Sequence, residues 1–283
     1  MRSIIAIVST CIVLLAGAAS AVTSDTERDL VDQFIKRTEK KHVRKLSWIS
    51  GSFTFNRVNE SHDYNRFAAY ESDYFSNTNL SSLGNAGAFG LDLGIIFKER
   101  FAWSVGGEYW LKLGESQSGS FDYNPPNAGS STVDDLKSEI KVLGMSTGLQ
   151  YYLAGHPTPT EQLQQLAVRM GGSVGYYQAT WDLWSAYQNL NLSTSLSETT
   201  NISFKGTSPG YSLNLGADYP LRWMGLAVGA DVSYFHLNFG NIAWYNASDE
   251  EIVASYDGTA DGRVELNLSG VRAKIEVRRF FSW

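Results

Sequence analysis

From Trp48 onward the chain places apolar residues on every second position, segment after segment. Nowhere in that stretch does it gather them into a run long enough for a membrane helix. In "GAFGLDLGIIFK", Phe89, Leu91, Leu93, Ile95 and Phe97 alternate with Gly90, Asp92 and Gly94. In "FAWSVGGEYWLKL", Phe101, Trp103, Val105, Tyr109 and Leu111 alternate with Ser104, Gly106, Glu108 and Lys112. The closing "VRAKIEVRRFFSW" sets Val271, Ala273, Ile275, Val277, Phe281 and Trp283 against Arg272, Lys274, Glu276 and Arg278. A period of two means strands with one apolar and one polar face. Which face looks outward decides what kind of protein this is.

Eight such segments follow one another: "WISGSFTFN", the two above, "KVLGMSTGLQYYL", "LAVRMGGSVGYY", "YSLNLGADYPL", a strand over Leu226 to Tyr234, and the terminal one. Long polar stretches at about 58–86, 114–137, up to 203 and 240–262 alternate with short connections, "KER", "AGHPTPTEQLQQ" and "PLRWMG". The pattern predicts an all-β, antiparallel up-and-down barrel of eight strands, with short turns at one end and long loops at the other. Aromatics fall at two levels. Phe97, Phe101, Trp103, Tyr151, Tyr219, Trp223, Phe281 and Trp283 lie near the short turns, and Phe89, Tyr109, Tyr176, Tyr211 and Tyr234 near the loops, as in the girdles of a transmembrane barrel. Two places depart from the pattern. Val264, Leu266 and Leu268 are out of phase with Val271–Val277, which implies a bulge near Ser269-Gly270 or a strand portion beyond the membrane. "NLNLSTSLS" alternates inside the third long stretch, which implies that strands five and six protrude, or that the barrel has ten strands.

The alternation, the loop asymmetry and the aromatic terminal strand resemble the small eight-stranded bacterial outer-membrane barrels: the transmembrane domain of outer membrane protein A, protein X and the opacity adhesins. That resemblance covers residues 47–283 and implies a cell outer-membrane location. It also implies recognition of the strand at 270–283 by the barrel assembly machinery, although the last residue is Trp where the family more often has Phe. The N-terminus agrees: Arg2, an apolar stretch from Ile4 to Gly17 and Ala19-Ser20-Ala21 read as a secretory signal peptide over residues 1–21, for Sec-type export. Residues 22–46 read as a short periplasmic amphipathic helix and linker, opened by a Ser24/Glu27 capping box, with Leu30, Val31, Phe34 and Ile35 at helical spacing.

Composition narrows the chemistry. The only cysteine, Cys11, lies inside the signal, so the remaining chain has no thiol and no disulfide framework. Without Arg2, 22 bases face 29 acids, which argues against nucleic acid as a partner. On the inward phase Asp92, Glu108, Asp218, Asp231 and Glu276 face Lys112, Arg169, Arg272, Lys274 and Arg278. An eight-stranded barrel is filled by its own side chains, so these are expected to pair as a polar core without an open pore. A small porin remains the alternative. A lipid-modifying enzyme on the same scaffold would need a serine and a histidine in reach of each other. Ser233 and His236, the best candidates, point to opposite faces of one strand, and neither a catalytic residue nor a cofactor is assigned. The long stretches are acidic, and Asp134, Asp135, Asp249, Glu250 and Glu251 are weak candidates for divalent cations or a surface ligand. The expectation is a non-enzymatic barrel in contact with outer-membrane lipid and lipopolysaccharide, whose surface loops include the aromatics of "DYNRFAAYESDYF".

Overall fold

The computed structural model describes residues 46–58, 64–65, 83–98, 100–123, 131–155, 166–184, 202–221, 225–245, 250–252 and 264–282. The expected signal peptide, the N-terminal helix and "NLNLSTSLS" lie outside the described residues. Eight strands form the wall: β1 (Leu46–Val58), β2 (Asn85–Phe97), β3 (Phe101–Tyr123), β4 (Ser131–Ala154), β5 (Ala167–Trp184), β6 (Ile202–Pro220), β7 (Leu226–Tyr245) and, after two short strands β8 (Glu251–Ile252) and β9 (Val264–Asn267), β10 (Gly270–Ser282). Each pairs antiparallel with the next. The sheet closes because β10 pairs with both β7 and β1, the latter from Leu46↔Ser282 to Val58↔Gly270. Closure leaves no edge among the wall strands at this level.

The alternation resolves as expected, with the apolar phase outside. Leu93, Leu149, Leu215, Ile275 and Val277 are exposed, while the residues between them face the lumen. The girdle aromatics Phe97, Phe101, Trp103, Tyr219 and Phe281, and Phe89, Tyr109, Tyr176, Tyr211 and Tyr234, are exposed as well. Lumen glycines make room for neighbouring rings and carboxylates. A Cβ on Gly94 would lie 2.1 Å from Cζ2 of Trp48, and one on Gly144 2.2 Å from the Tyr177 ring. The glycines of "GLDLG" are therefore spacers on a strand, with no helix to make a phosphate loop.

The structure corrects the sequence reading in four places. The stretch 114–137, read as loop, is mostly ribbon: β3 runs to Tyr123 and β4 starts at Ser131. Its residues lack alternation because nothing there forces one face to be apolar. A register shift between Trp110 and Leu113 breaks the phase, so that Leu113 is buried in the lumen. Lys112 sits at that bulge and its side chain lies outside the described residues. Near Ser269-Gly270 there is no register shift: β7 keeps one register from Gly270↔Phe235 to Asn267↔Asn238. Leu266 and Leu268 thus share the inward phase of Arg272 and Arg278, and are apolar because the lumen itself becomes apolar at that level. Finally, Tyr64, expected on the surface, is fully buried, with its ring 5.0 Å from that of Trp181. Beyond the wall, β5 and β6 remain paired as far as Leu183↔Ile202, consistent with protrusion of these two strands.

Candidate functional site

The lumen is built in layers, because each strand delivers every second side chain to it at successive heights. Next to the short turns lies an apolar floor of Trp48, Ile96, Ala102 and Ala167, with Leu46 and Phe280 packed against it. At the loop end is a larger apolar roof. There Trp181 stacks on Phe204 at 4.5 Å, Tyr177 meets Phe235 edge-on at 5.3 Å, and Trp110 tilts against Phe235 at 5.8 Å. Leu237, Phe239, Leu266 and Leu268 complete it.

Between floor and roof lies the charge. The Arg169 guanidinium donates to Asp218 Oδ2 at 3.0 Å, to Asp231 Oδ2 at 2.7 Å and to Glu276 Oε1. Arg278 donates to Asp218 Oδ2 at 3.1 Å, to Glu276 Oε1 at 2.6 Å, to the Tyr152 hydroxyl at 2.9 Å and to Gln150 Oε1 at 3.3 Å. The Tyr152 hydroxyl donates in turn to Asp218. Both arginines are 1% exposed, so this network is out of bulk water. Lys274 bridges Asp92 at 2.9 Å and Glu276 at 3.4 Å. One layer higher, Arg272 pairs with Glu108 at 2.7 Å and bonds Asn56. It lies 4.1 Å from the Phe235 ring centroid and 5.2 Å from that of Trp110, which joins the charged layer to the roof. Nine of the ten predicted inward charges are thus brought together, from six strands. Within the same layer a cavity of about 100 Å³ is lined by Ser173, Ser212, Asn214, Ser233, Asp231 and Lys274, among others.

The outside is the complement. On β2, β3 and β6 the girdle aromatics stand eight residues apart, Phe89 to Phe97, Phe101 to Tyr109 and Tyr211 to Tyr219. At ~3.3 Å per residue and a tilt of ~40°, the interval is about 20 Å along the axis. Among the described outward residues between these levels the charged side chain is Arg279, two residues inside Phe281 on β10, with its guanidinium 5.5 Å from the centroid of that girdle ring. The polar groups that do face out pair with one another: Trp103 Nε1 donates to Thr147 Oγ1 at 2.9 Å, which donates to the Ser104 carbonyl at 3.0 Å. Charge resumes beyond the loop-side girdle, where Lys141 meets Asp182 at 3.2 Å. That hydrogen bond raises the lysine above its ordinary value.

The other candidates fare differently. Ser233 lines the lumen cavity, whereas His236 faces out against the Tyr211 ring at 4.9 Å, so the two do not meet. His236 Nδ1 instead lies 3.1 Å from Ser269 Oγ, a neighbour that the alternation did not reveal. Ser269 is 2% exposed and its Oγ accepts the Leu237 amide at 3.0 Å, so it patches the ladder between β9 and β10. Among the loop acids, Glu250 and Glu251 are exposed. Asp249 and the side chains of Asp134 and Asp135 lie outside the described residues. Among the described residues no three His, Cys, Asp or Glu side chains are grouped to hold a metal.

No protein-family model matches the chain, and no curated protein does. Solved structures with a similar course include the outer membrane protein OprG from Pseudomonas aeruginosa, at 13% identity, covering 84% of this chain and 96% of that one with a TM-score of 0.44. Neisserial surface protein A follows at 11% identity, covering 82% and 96%, TM-score 0.40. A major outer membrane protein from Thermus thermophilus stands at 11%, covering 85% and 100%, TM-score 0.41.

Proposed function

We propose that the chain is an integral outer-membrane barrel with a structural or surface-interaction role and no catalytic centre. The observation that carries this reading is the outer band: apolar for about 20 Å apart from Arg279 against the girdle ring of Phe281, bounded by aromatics, around a lumen that holds the paired charges. Water would penalise so large an exposed apolar surface, and lipid would not. On this reading the band contacts lipid and lipopolysaccharide, and the β10 strand is what the assembly machinery recognises. The apolar floor and roof favour a closed barrel over a small porin. The separation of Ser233 from His236 favours a non-enzymatic barrel over a lipid-modifying one.

Spin labels at Leu93, Leu149, Leu215 and Val228 test the reading in the reconstituted protein. Collisional relaxation by oxygen with shielding from a water-soluble quencher is expected at all four sites, and the reverse pattern would sink the assignment. The surface role rests on the acidic loops. Millimolar Ca²⁺ is expected to protect them from protease more than Na⁺ of equal ionic strength, and equal protection would leave them a solvated fringe.

A further inference from the structure

The central network does not balance. Among the described residues Asp92, Asp218, Asp231 and Glu276, four carboxylates, are linked through three bases, Arg169, Lys274 and Arg278. Arg272 and Glu108 form a pair of their own, so one negative charge is left over. Lys112 lies two residues to the loop side of Trp110 on β3, and its side chain is outside the described residues. An uncompensated buried charge is among the costliest features a core can carry.

The deficit can be located. Asp218 Oδ2 accepts from Tyr152, Arg169 and Arg278, and Glu276 Oε1 from both arginines. Asp231 has one donor, Arg169, which it shares with the other two. Asp231 is 6% exposed, and its Oδ1, like that of Asp218, is buried without a hydrogen-bond partner; of the two, Asp231 is the one that lines the cavity. The amide oxygen of Asn214 is unpartnered too. Asn214 lies on β6 opposite Ser233, one inward position from Gly216, the cross-strand partner of Asp231. Both residues line the cavity, together with the hydroxyls of Ser173, Ser212 and Ser233. These two orphan acceptors on the cavity wall, beside three hydroxyls and an excess negative charge, form an environment of oxygen ligands. At about 100 Å³ the cavity has room for a small ion and a few waters.

We propose that this cavity binds one small monovalent cation of the Na⁺ class, held by Asp231 Oδ1 and Asn214 Oδ1, which neutralises the barrel's centre. The single excess negative charge favours a monovalent ion over a divalent one, which asks for several carboxylates. The lysine and arginines that also line the cavity are already engaged, so they complete the charge balance and do not displace the ion.

The test uses the full-length protein refolded in lipid nanodiscs. Its unfolding midpoint is measured in NaCl and in N-methylglucamine chloride at equal ionic strength, for the wild type and for Asp231→Asn. Na⁺ is expected to raise the wild-type midpoint by about 3 °C and to leave the variant unmoved. Equal midpoints in the two salts would mean that the charge is met in another way, by a proton or by water. The same rise in Asp231→Asn would assign the effect to the surface acids. Either result overturns the proposal. Should the variant fail to fold, wild-type crystals soaked in Rb⁺ are expected to show anomalous density between Asp231 and Asn214, and its absence is equally decisive.

Discussion

At the scale of single residues, the lumen shows how little latitude a narrow barrel leaves. Among the described residues Arg169 is the one donor to Asp231, and it shares Asp218 and Glu276 with Arg278. Arg169→Ala would leave three buried carboxylates to one guanidinium, and a loss of about 3–5 kcal/mol in unfolding free energy is expected from urea titration. Gly94 tests packing in place of charge. A methyl group there meets the Trp48 ring at 2.1 Å, so Gly94→Ala is expected to cost about 1–3 kcal/mol. Trp48→Leu should relieve part of that cost, and a double-mutant cycle with no coupling between the two would refute the contact. The directions of these side chains were legible in the sequence, because alternation says which residues face in. Their partners were not. Asp218 meets Arg278 through the closure of β6, β7 and β10 across one lumen, and no local pattern encodes that stagger.

At the scale of elements, the strands that the sequence announced are those pinned between an apolar outside and a crowded inside. β2 alternates over its whole length and begins and ends close to where its pattern does. The outer parts of β3 and β4 escaped notice because "ESQSGSFDY" and "STVDDLKS" carry no apolar phase to betray a strand. Of the two readings of Leu266 and Leu268, a bulge or a strand portion beyond the membrane, the bulge failed for the opposite reason. Their pattern was clear, but apolar was taken to mean outward, whereas near the roof it means inward. The join of β9 and β10 makes its own prediction. Where the ladder is interrupted, Ser269 Oγ accepts the Leu237 amide and its backbone N–H donates to Asn267 Oδ1 at 3.0 Å. Ser269→Ala would strand that amide. The variant is expected to lose about 1–3 kcal/mol and to exchange the Leu237 proton faster in hydrogen–deuterium measurements. Unchanged exchange would mean that another group can take over.

At the scale of the whole molecule, floor, charged layer and roof are three closures in series. Reconstituted in a planar bilayer, the protein is expected to pass no steady current. Trp110→Ala, which opens only the roof, should pass none either, and a current from that variant would show that the roof alone holds the barrel shut. Eight strands, their closure and the level of the girdles could all be read before any coordinates. The apolar roof could not, because Tyr64 and Trp181 are brought together only by the fold. The interval between the girdles reaches past the protein to its solvent. An apolar wall about 20 Å tall is shorter than an average hydrocarbon core of ~30 Å, so a thick bilayer must thin around the barrel or bury its polar rims. Such an annulus carries an elastic cost that rises with acyl length. Refolding into vesicles should therefore be fastest and most complete in short-chain phosphatidylcholines and fall steadily as the chains lengthen, so that membrane thickness itself selects where this barrel can settle.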